Sequence, residues 1–167
     1  MAAPSLQRRA FLRGRSAPAP PPLRPPWAGN EEAFLDACTP CRACVAACPA
    51  GVLVEGEGGH PVFDPSHGEC TFCGVCVEAC APQALDFGHA DPPWPLKAWV
   101  GGACLTHRGV VCLSCRDACG EAAIRFRPSL GVSRPELDPD RCTGCGACVS
   151  VCPASAIVVA APGEPRA

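Results

Sequence analysis

A short stretch near the C-terminus, CTGCGACVSVCP at residues 142–153, decides the fold. Two residues separate each of its first three cysteines from the next, and the fourth follows after three more, directly before a proline. Three thiolates on one tight loop can occupy three corners of an Fe₄S₄ cube, and in proteins with two such cubes the fourth cysteine reaches across to the other one. The stretch therefore predicts a ligand loop for a [4Fe–4S] cluster.

The pattern occurs four times, at intervals of about thirty residues, so the chain is an internal repeat. The other blocks are CTPCRACVAACP at 38–49, CTFCGVCVEACAP at 70–82 and CLTHRGVVCLSCRDACG at 104–120. The third block departs most, because seven residues separate Cys104 from Cys112 and Gly120 replaces the proline. We expect a cluster there on a longer loop, with a free thiol at Cys104 as the alternative. The chain would then hold four clusters, or three if the third block is empty.

Disulfides and zinc are the competing uses of so many cysteines. Disulfides belong to oxidising compartments. An export signal needs an apolar stretch, whereas Arg8-Arg9 is followed by a segment rich in proline and arginine at 15–27. Zinc sites with four cysteines use two CxxC pairs on either side of a longer loop, which does not explain a third cysteine at the same spacing. We therefore expect iron–sulfur clusters in a cytoplasmic protein.

Two predicted hairpins indicate how the blocks pair. Residues 51–64 are two short apolar runs around a Gly-rich turn, and residues 123–127 with 135–138 form a similar unit with a longer loop. Prolines in 91–96 exclude regular pairing between blocks two and three. Blocks one and two should share one module and blocks three and four another; nested pairing, one with four and two with three, is the alternative. The predicted ligand sets are Cys38, Cys41, Cys44 with Cys80; Cys70, Cys73, Cys76 with Cys48; Cys104, Cys112, Cys115 with Cys152; and Cys142, Cys145, Cys148 with Cys119.

The rest of the composition leaves little material for an ordinary core. The 167 residues include six Phe, three Trp, no Tyr and one Met, so metal ligation rather than aliphatic packing should organise the chain. The predicted fold is α+β: two small bacterial ferredoxin-like modules in tandem, built of short helices and β-hairpins around their clusters, behind an extended N-terminal tail. The expected divisions are a basic Pro-rich tail, a module, a linker, a second module and a short tail, at 1–29, 30–89, 90–103, 104–161 and 162–167.

Charge separates the tail from the body. Residues 1–27 hold five arginines and no acidic residue, although the whole chain has a formal charge of −2. Only the tail is basic and it lacks interleaved aromatics, so nucleic acid is not an expected partner, and no run of about 20 apolar residues predicts a membrane span. The tail could instead dock on an acidic protein surface. The candidate contacts are Arg8, Arg9, Arg13 and Trp27, with a solvated tail, and for Trp27 a packing anchor, as the alternatives.

Outside the cysteines, the sequence predicts no further metal ligands and no catalytic residues. The four histidines, His60, His67, His89 and His107, are expected to be loop residues, because every block already has four cysteines. The chain lacks a phosphate-binding glycine loop and a nucleophile–base pair. Electron transfer, not enzymatic catalysis, is the expected activity.

Several features outside the cysteines are distinctive. They are Arg8-Arg9 with Leu12-Arg13-Gly14, the segment 24–29 ahead of Phe34-Leu35, and the wide third block followed by residues 123–128. In these the chain resembles the NapF family, cytoplasmic ferredoxin-type accessory proteins of periplasmic nitrate reductase systems. The resemblance implies a partner, the catalytic subunit of periplasmic nitrate reductase, and a role in maturing it before export by assembling or reducing its iron–sulfur centre. A general low-potential electron carrier and an electron-transfer subunit of a redox enzyme complex are the alternatives.

Overall fold

The computed structural model describes residues 21–89 and 91–163. Its regular elements are all short, as expected where ligand loops rather than long helices organise the chain. The helices are α1 (Glu31–Ala37), α2 (Ala43–Ala47), α3 (Val75–Glu78), α4 (Ser114–Asp117) and α5 (Ala147–Ser150). The strands are β1 (Leu53–Glu55), β2 (Pro61–Phe63), β3 (Lys97–Val100), β4 (Ile124–Phe126), β5 (Pro135–Leu137) and β6 (Ile157–Ala160). The predicted α+β fold of small tandem modules is confirmed.

The strands form three antiparallel pairs. Strands β1 and β2 make the first predicted hairpin, with Leu53 opposite Phe63. Strands β4 and β5 make the second, with Ile124 opposite Leu137. Strand β3 pairs with β6, so the beginning and the end of the second module lie side by side. Both hairpins thus occur where the turn residues predicted them.

Strand β3 lies inside segment 90–103, which the sequence predicts to be a linker without regular structure. Its residues pair with the last strand of the second module, with Lys97 opposite Ala160 and Val100 opposite Ile157. Proline cannot donate to a strand ladder, but the last proline, Pro95, precedes the strand, so no proline lies within β3. The second module therefore begins near residue 97, not at residue 104.

The segment just before α1 corrects the expected boundary of the tail at residue 29. The Phe63 N–H donates to the carbonyl of Leu23 at 2.7 Å, and Pro25 and Pro26 are fully buried. The Arg24 guanidinium donates two hydrogen bonds, of 2.7 and 2.8 Å, to the Glu31 carboxylate. Residues 22–28 are free of helix and strand, yet they form one wall of the first module, because proline rings bury apolar surface without needing N–H partners.

Two apolar clusters form the core, and cysteines contribute to both. The first is built around Phe34, Leu53, Phe63, Leu85 and Trp94, together with Cys44 and Cys76. The second is smaller and holds Ala98, Ile124 and Ile157 together with Cys115, Cys142 and Cys148. Each core therefore surrounds sulfur atoms, and it covers the candidate metal centres on their inner side.

Candidate metal centres

The sixteen cysteines line four cavities, with four cysteines in each. The four cavities, numbered I to IV, are similar in size. The sets are Cys38, Cys41, Cys44 and Cys80 in cavity I; Cys48, Cys70, Cys73 and Cys76 in cavity II; Cys104, Cys112, Cys115 and Cys152 in cavity III; and Cys119, Cys142, Cys145 and Cys148 in cavity IV. This is the grouping within modules, not the nested one, and Cys104 lies with the other three cysteines of its set.

Left-handed residues wrap the chain around three of the cavities. The residue that precedes the short helix has φ of 63° at Arg42, 78° at Gly74 and 90° at Gly146. A Cβ at Gly74 would lie 2.8 Å from the Phe87 ring, and one at Gly146 would lie 2.7 Å from Pro65. Glycine therefore avoids both the left-handed strain and the close contact at these two positions, whereas Arg42 adopts the left-handed conformation with a side chain. The third block differs, because Leu113 at the same position has φ of −127°.

A second turn follows the fourth cysteine of every block. Three residues after each of these cysteines, the N–H donates to the cysteine carbonyl at 3.0 to 3.1 Å. The donors all have positive φ, and they are Gly51, Gln83, Ala122 and Ser155. The turn also forms in block three, where Gly120 replaces the proline, so the proline that marks this position in the sequence is dispensable.

Sequence reasoning missed the apolar pair that comes next. A buried residue and then a buried aliphatic side chain follow each of these turns. The pairs are Val52-Leu53, Ala84-Leu85, Ala123-Ile124 and Ala156-Ile157. The pair directly follows the left-handed residue in all four blocks. This recurrence in the sequence could have predicted the buried residues that form the inner wall of each cavity.

Hydrogen-bond donors point at the sulfur atoms. The fourth cysteine accepts from a backbone N–H in three blocks, Cys80 from Leu85 at 3.4 Å, Cys119 from Ala123 at 3.3 Å and Cys152 from Ala156 at 3.3 Å. Such donors favour thiolate over thiol and are the surroundings that tune a metal–sulfur centre. The turn and the buried pair thus place N–H groups where bound thiolates would need them.

Burial alone would keep the innermost sulfurs protonated. It is the largest cause that raises the pKa of the Cys148 thiol to about 12 and that of the Cys115 thiol to about 11, and neighbouring cysteines raise both further. The same cause raises the pKa of Cys76 to about 12 and that of Cys44 to about 11. Metal ligands must be thiolates, not thiols. Four thiolates in one buried cavity are stable only when a cationic group with affinity for sulfur is bound among them. The donor set fits iron in a [4Fe–4S] cluster.

Histidines play no part in these cavities. None of His60, His67, His89 and His107 lines cavities I to IV. His67 instead lies 3.2 Å from the Asp64 carboxylate. Over the residues that the structure describes, no three His, Cys, Asp or Glu side chains converge as a single metal ion would require.

Trp27 packs inside the first module, as its alternative role of a packing anchor predicts. Its side chain is 9% exposed, lines cavity II and meets the Phe87 ring edge-on at 5.0 Å. The backbone N–H of Trp27 donates to the Pro93 carbonyl at 2.8 Å. The other three candidates, Arg8, Arg9 and Arg13, lie outside the described residues.

The four cavities follow one another in the order I, II, IV, III. Cys76 of cavity II interacts electrostatically with Cys44 of cavity I, and Cys148 of cavity IV interacts with Cys115 of cavity III. Between the modules, the Cys70 N–H donates to the Cys145 carbonyl at 2.8 Å, which joins the loops of cavities II and IV. Cavities I and III are therefore the two ends of a row.

Two family matches and several curated relatives agree with this arrangement. Residues 37–85 and 110–156 each match a family described as a 4Fe-4S dicluster domain. The sequence is 44% identical to the ferredoxin-type protein NapF of Escherichia coli strain K12, in an alignment that covers 90% of this chain and 92% of the relative. The chain belongs to the NapF family. NapF of Haemophilus influenzae is 38% identical over 95% of this chain and 96% of its own length.

A second ferredoxin-type group is less similar to this chain than the NapF relatives quoted above. The methylamine utilization ferredoxin-type protein MauM of Methylorubrum extorquens is 34% identical over 86% of this chain and 73% of its own length. As a NapF-family member, the chain is an iron–sulfur protein with two dicluster domains. The second match begins at residue 110, so Cys104 and the wide loop of block three are where this chain departs from the general domain pattern.

No helix in the part of the chain that the structure describes is long and apolar enough to cross a membrane.

Proposed function

We propose that this NapF-family protein binds four [4Fe–4S] clusters, one in each of cavities I to IV, with all sixteen cysteines as ligands. We propose further that it acts in the cytoplasm on the catalytic subunit of periplasmic nitrate reductase, before that subunit is exported. The observation that carries the first part is the grouping of the cysteines, four to a cavity and four cavities to a chain.

The chemistry follows from the sites. A [4Fe–4S] cluster, when bound, supplies one-electron transfer. The chain supplies thiolate ligands, N–H donors to sulfur and apolar inner walls. This combination supports an electron-transfer accessory role, in which the protein assembles or reduces the iron–sulfur centre of its partner and is not itself an enzyme.

The partner is inferred from two features. The relatives with the highest identity quoted above are ferredoxin-type NapF proteins, whose resemblance implies the nitrate reductase system. The chain also places four arginines and no acidic residue within residues 1–20, ahead of the first buried proline. A basic segment of this kind would steer the protein toward an acidic surface on the unexported subunit.

Capture of the unexported catalytic subunit tests this function. The full chain, purified without oxygen, is immobilised and exposed to the catalytic subunit with its export signal intact, and separately to the mature subunit. We expect retention of the unexported form, and a severalfold loss of retention when Arg8, Arg9 and Arg13 are all changed to Gln. Arg125→Gln with Arg127→Gln, at exposed positions on β4 and directly after it, removes positive charge from the second module and serves as the control.

The outcomes separate the candidate functions. Equal capture by the triple variant would remove the docking role of the arginines. Failure to capture either form, with iron content intact, would favour a general electron carrier. Stable co-purification with an assembled membrane complex would favour a permanent electron-transfer subunit.

A further inference from the structure

The two modules carry very different charge. Residues 21–89 contain nine acidic side chains and two arginines, whereas residues 91–163 contain six acidic and seven basic side chains. Reduction adds a negative charge to an iron–sulfur cluster. Carboxylates near a site therefore lower its midpoint potential, and cations and hydrogen-bond donors near its sulfurs raise the potential.

Cavity III also has hydroxyl groups at its sulfurs. Thr106 is 4% exposed and is the one buried polar side chain found in the described residues. Its Oγ1 lies 3.2 Å from Sγ of Cys104, and Oγ of Ser114 lies 3.7 Å from Sγ of Cys112. With the sulfurs bound as thiolates, only the hydroxyls can donate.

The wide third block creates the Thr106 contact. The chain forms a 3₁₀ turn at Leu105–Arg108 directly after Cys104, and this turn brings Thr106 back over the sulfur. In the other blocks a threonine directly follows the first cysteine, and those side chains are exposed: Thr39, Thr71 and Thr143. Among the described residues, hydroxyl contacts to cysteine sulfur occur only at cavity III. In block three, the inserted residues thus replace the exposed threonine hydroxyl of the other blocks with the buried hydroxyl of Thr106.

Cavity IV has a cation beside it. The Lys97 ammonium, partly buried, donates to the Cys142 carbonyl at 2.6 Å, next to a cysteine whose sulfur also accepts from the Ala98 N–H at 3.4 Å. Each of the two arginines of the first module pairs with a carboxylate. Arg42 beside cavity I pairs with Glu55 at 2.9 Å, and Arg24 pairs with Glu31 at 2.7 Å.

We propose that the second module holds the two clusters of higher midpoint potential, with Thr106 and Ser114 raising that of cavity III and Lys97 that of cavity IV. Reducing electrons then collect in the second module. The contact between Cys70 and Cys145 places cavities II and IV side by side, so electrons gained by the first module have a short path to the second. This inference rests on the proposed cluster binding and adds a direction to it.

The test is a redox titration of the full chain, reduced stepwise with dithionite and followed by EPR. In the unaltered protein we expect two clusters to be reduced before the other two. Thr106→Val should shift one member of the early pair to lower potential, and Ser114→Ala should shift the same member by less. Lys97→Met should shift the other early member. Thr106→Ser retains the hydroxyl and should restore the potential, while Thr71→Val, at an exposed hydroxyl of block two, should leave all four potentials unchanged.

Two results would overturn the proposal. The first is four unchanged potentials in Thr106→Val, Ser114→Ala and Lys97→Met. The second is a shift confined to the clusters reduced last. Iron and sulfide analysis of every variant separates these results from failure of the underlying function, because protein without iron would refute cluster binding itself. If Thr106→Val loses iron, Ser114→Ala and Lys97→Met still decide the order.

Discussion

Single residues outside the cysteines decide whether the ligand loops can form. Gly144 lies between two ligands of cavity IV with φ of 74°, and a Cβ there would collide with the carbonyl oxygen of Leu96. Gly51 has a similar φ of 65°, but its Cβ would meet nothing within 4 Å. A side chain at Gly51 would therefore meet only left-handed strain, whereas one at Gly144 would meet both left-handed strain and steric overlap.

Alanine at these two positions should have unequal effects. Gly51→Ala incurs only the left-handed penalty, about 1 kcal/mol. Gly144→Ala must also displace the backbone just before β3, so we expect at least roughly twice that loss. The measurement is the temperature at which visible cluster absorbance falls by half, without oxygen. Equal temperatures for the two variants would show that the Leu96 contact relaxes freely.

Substitution of Cys104 tests whether cavity III holds a cluster. If it is a ligand of cavity III, Cys104→Ala should lower iron from about sixteen to about twelve per chain, since each cube contains four iron atoms. His107→Ala, an exposed change on the same turn, should leave iron unchanged. Unaltered iron in Cys104→Ala would return Cys104 to the role of a free thiol.

Secondary-structure elements divide into those that sequence could predict and those that it could not. The β1–β2 and β4–β5 hairpins are local, with turn residues between their strands, and both were predicted. Strand β3 was missed because its partner β6 lies some sixty residues away and no turn announces the pairing. The sequence predicts a free tail at residues 22–28 because a Pro-rich segment has the composition of a disordered one. Its contacts with Phe63 and Pro93 are long-range and leave no local signal.

Trp94 joins these elements across the modules. Its Nε1–H donates to the Thr143 carbonyl at 2.8 Å, and its ring lies 4.8 Å from that of Phe63. Trp94→Phe keeps an aromatic ring and removes the donor, leaving the carbonyl without this partner. We expect a loss of about 1 kcal/mol, or about 2–4 °C in the temperature of cluster loss.

Thr143→Val is the matched control for this bond, because it alters only the side chain and preserves the accepting carbonyl. It should leave the temperature of cluster loss unchanged. A decrease in Thr143→Val equal to that in Trp94→Phe would assign the effect to the loop, not to the hydrogen bond.

At the scale of the whole molecule, the sulfur cavities take the place of an aliphatic core. The pairing of blocks within modules was predicted from the two hairpins, and the cavities have that grouping. The order I, II, IV, III was not predictable, because it depends on contacts between Cys70, Trp94 and the fourth block that no repeat pattern specifies. For Trp27 the sequence left two roles open, a partner contact and a packing anchor, and could not choose between them because its contacts with Phe87 and Pro93 are far away in the chain.

Removal of iron should therefore unfold the chain. Without metal, the buried thiols become protonated, since burial raises the pKa to about 11 at Cys44 and about 12 at Cys148. The bonds that tie the ligand loops together are then lost, and the small apolar clusters are insufficient alone. Far-UV circular dichroism of reduced, chelated protein should show largely unfolded chain. Native-like dichroism in that state would mean that packing alone specifies the fold.

The central claim is that each four-cysteine cavity holds one [4Fe–4S] cluster, and elemental analysis of protein purified strictly without oxygen tests it most directly. Iron and acid-labile sulfide are measured together with EPR of the dithionite-reduced sample. We expect about sixteen iron and about sixteen sulfide per chain, with signals of interacting [4Fe–4S] clusters. Two to four zinc ions per chain, with neither sulfide nor visible absorbance, would contradict it.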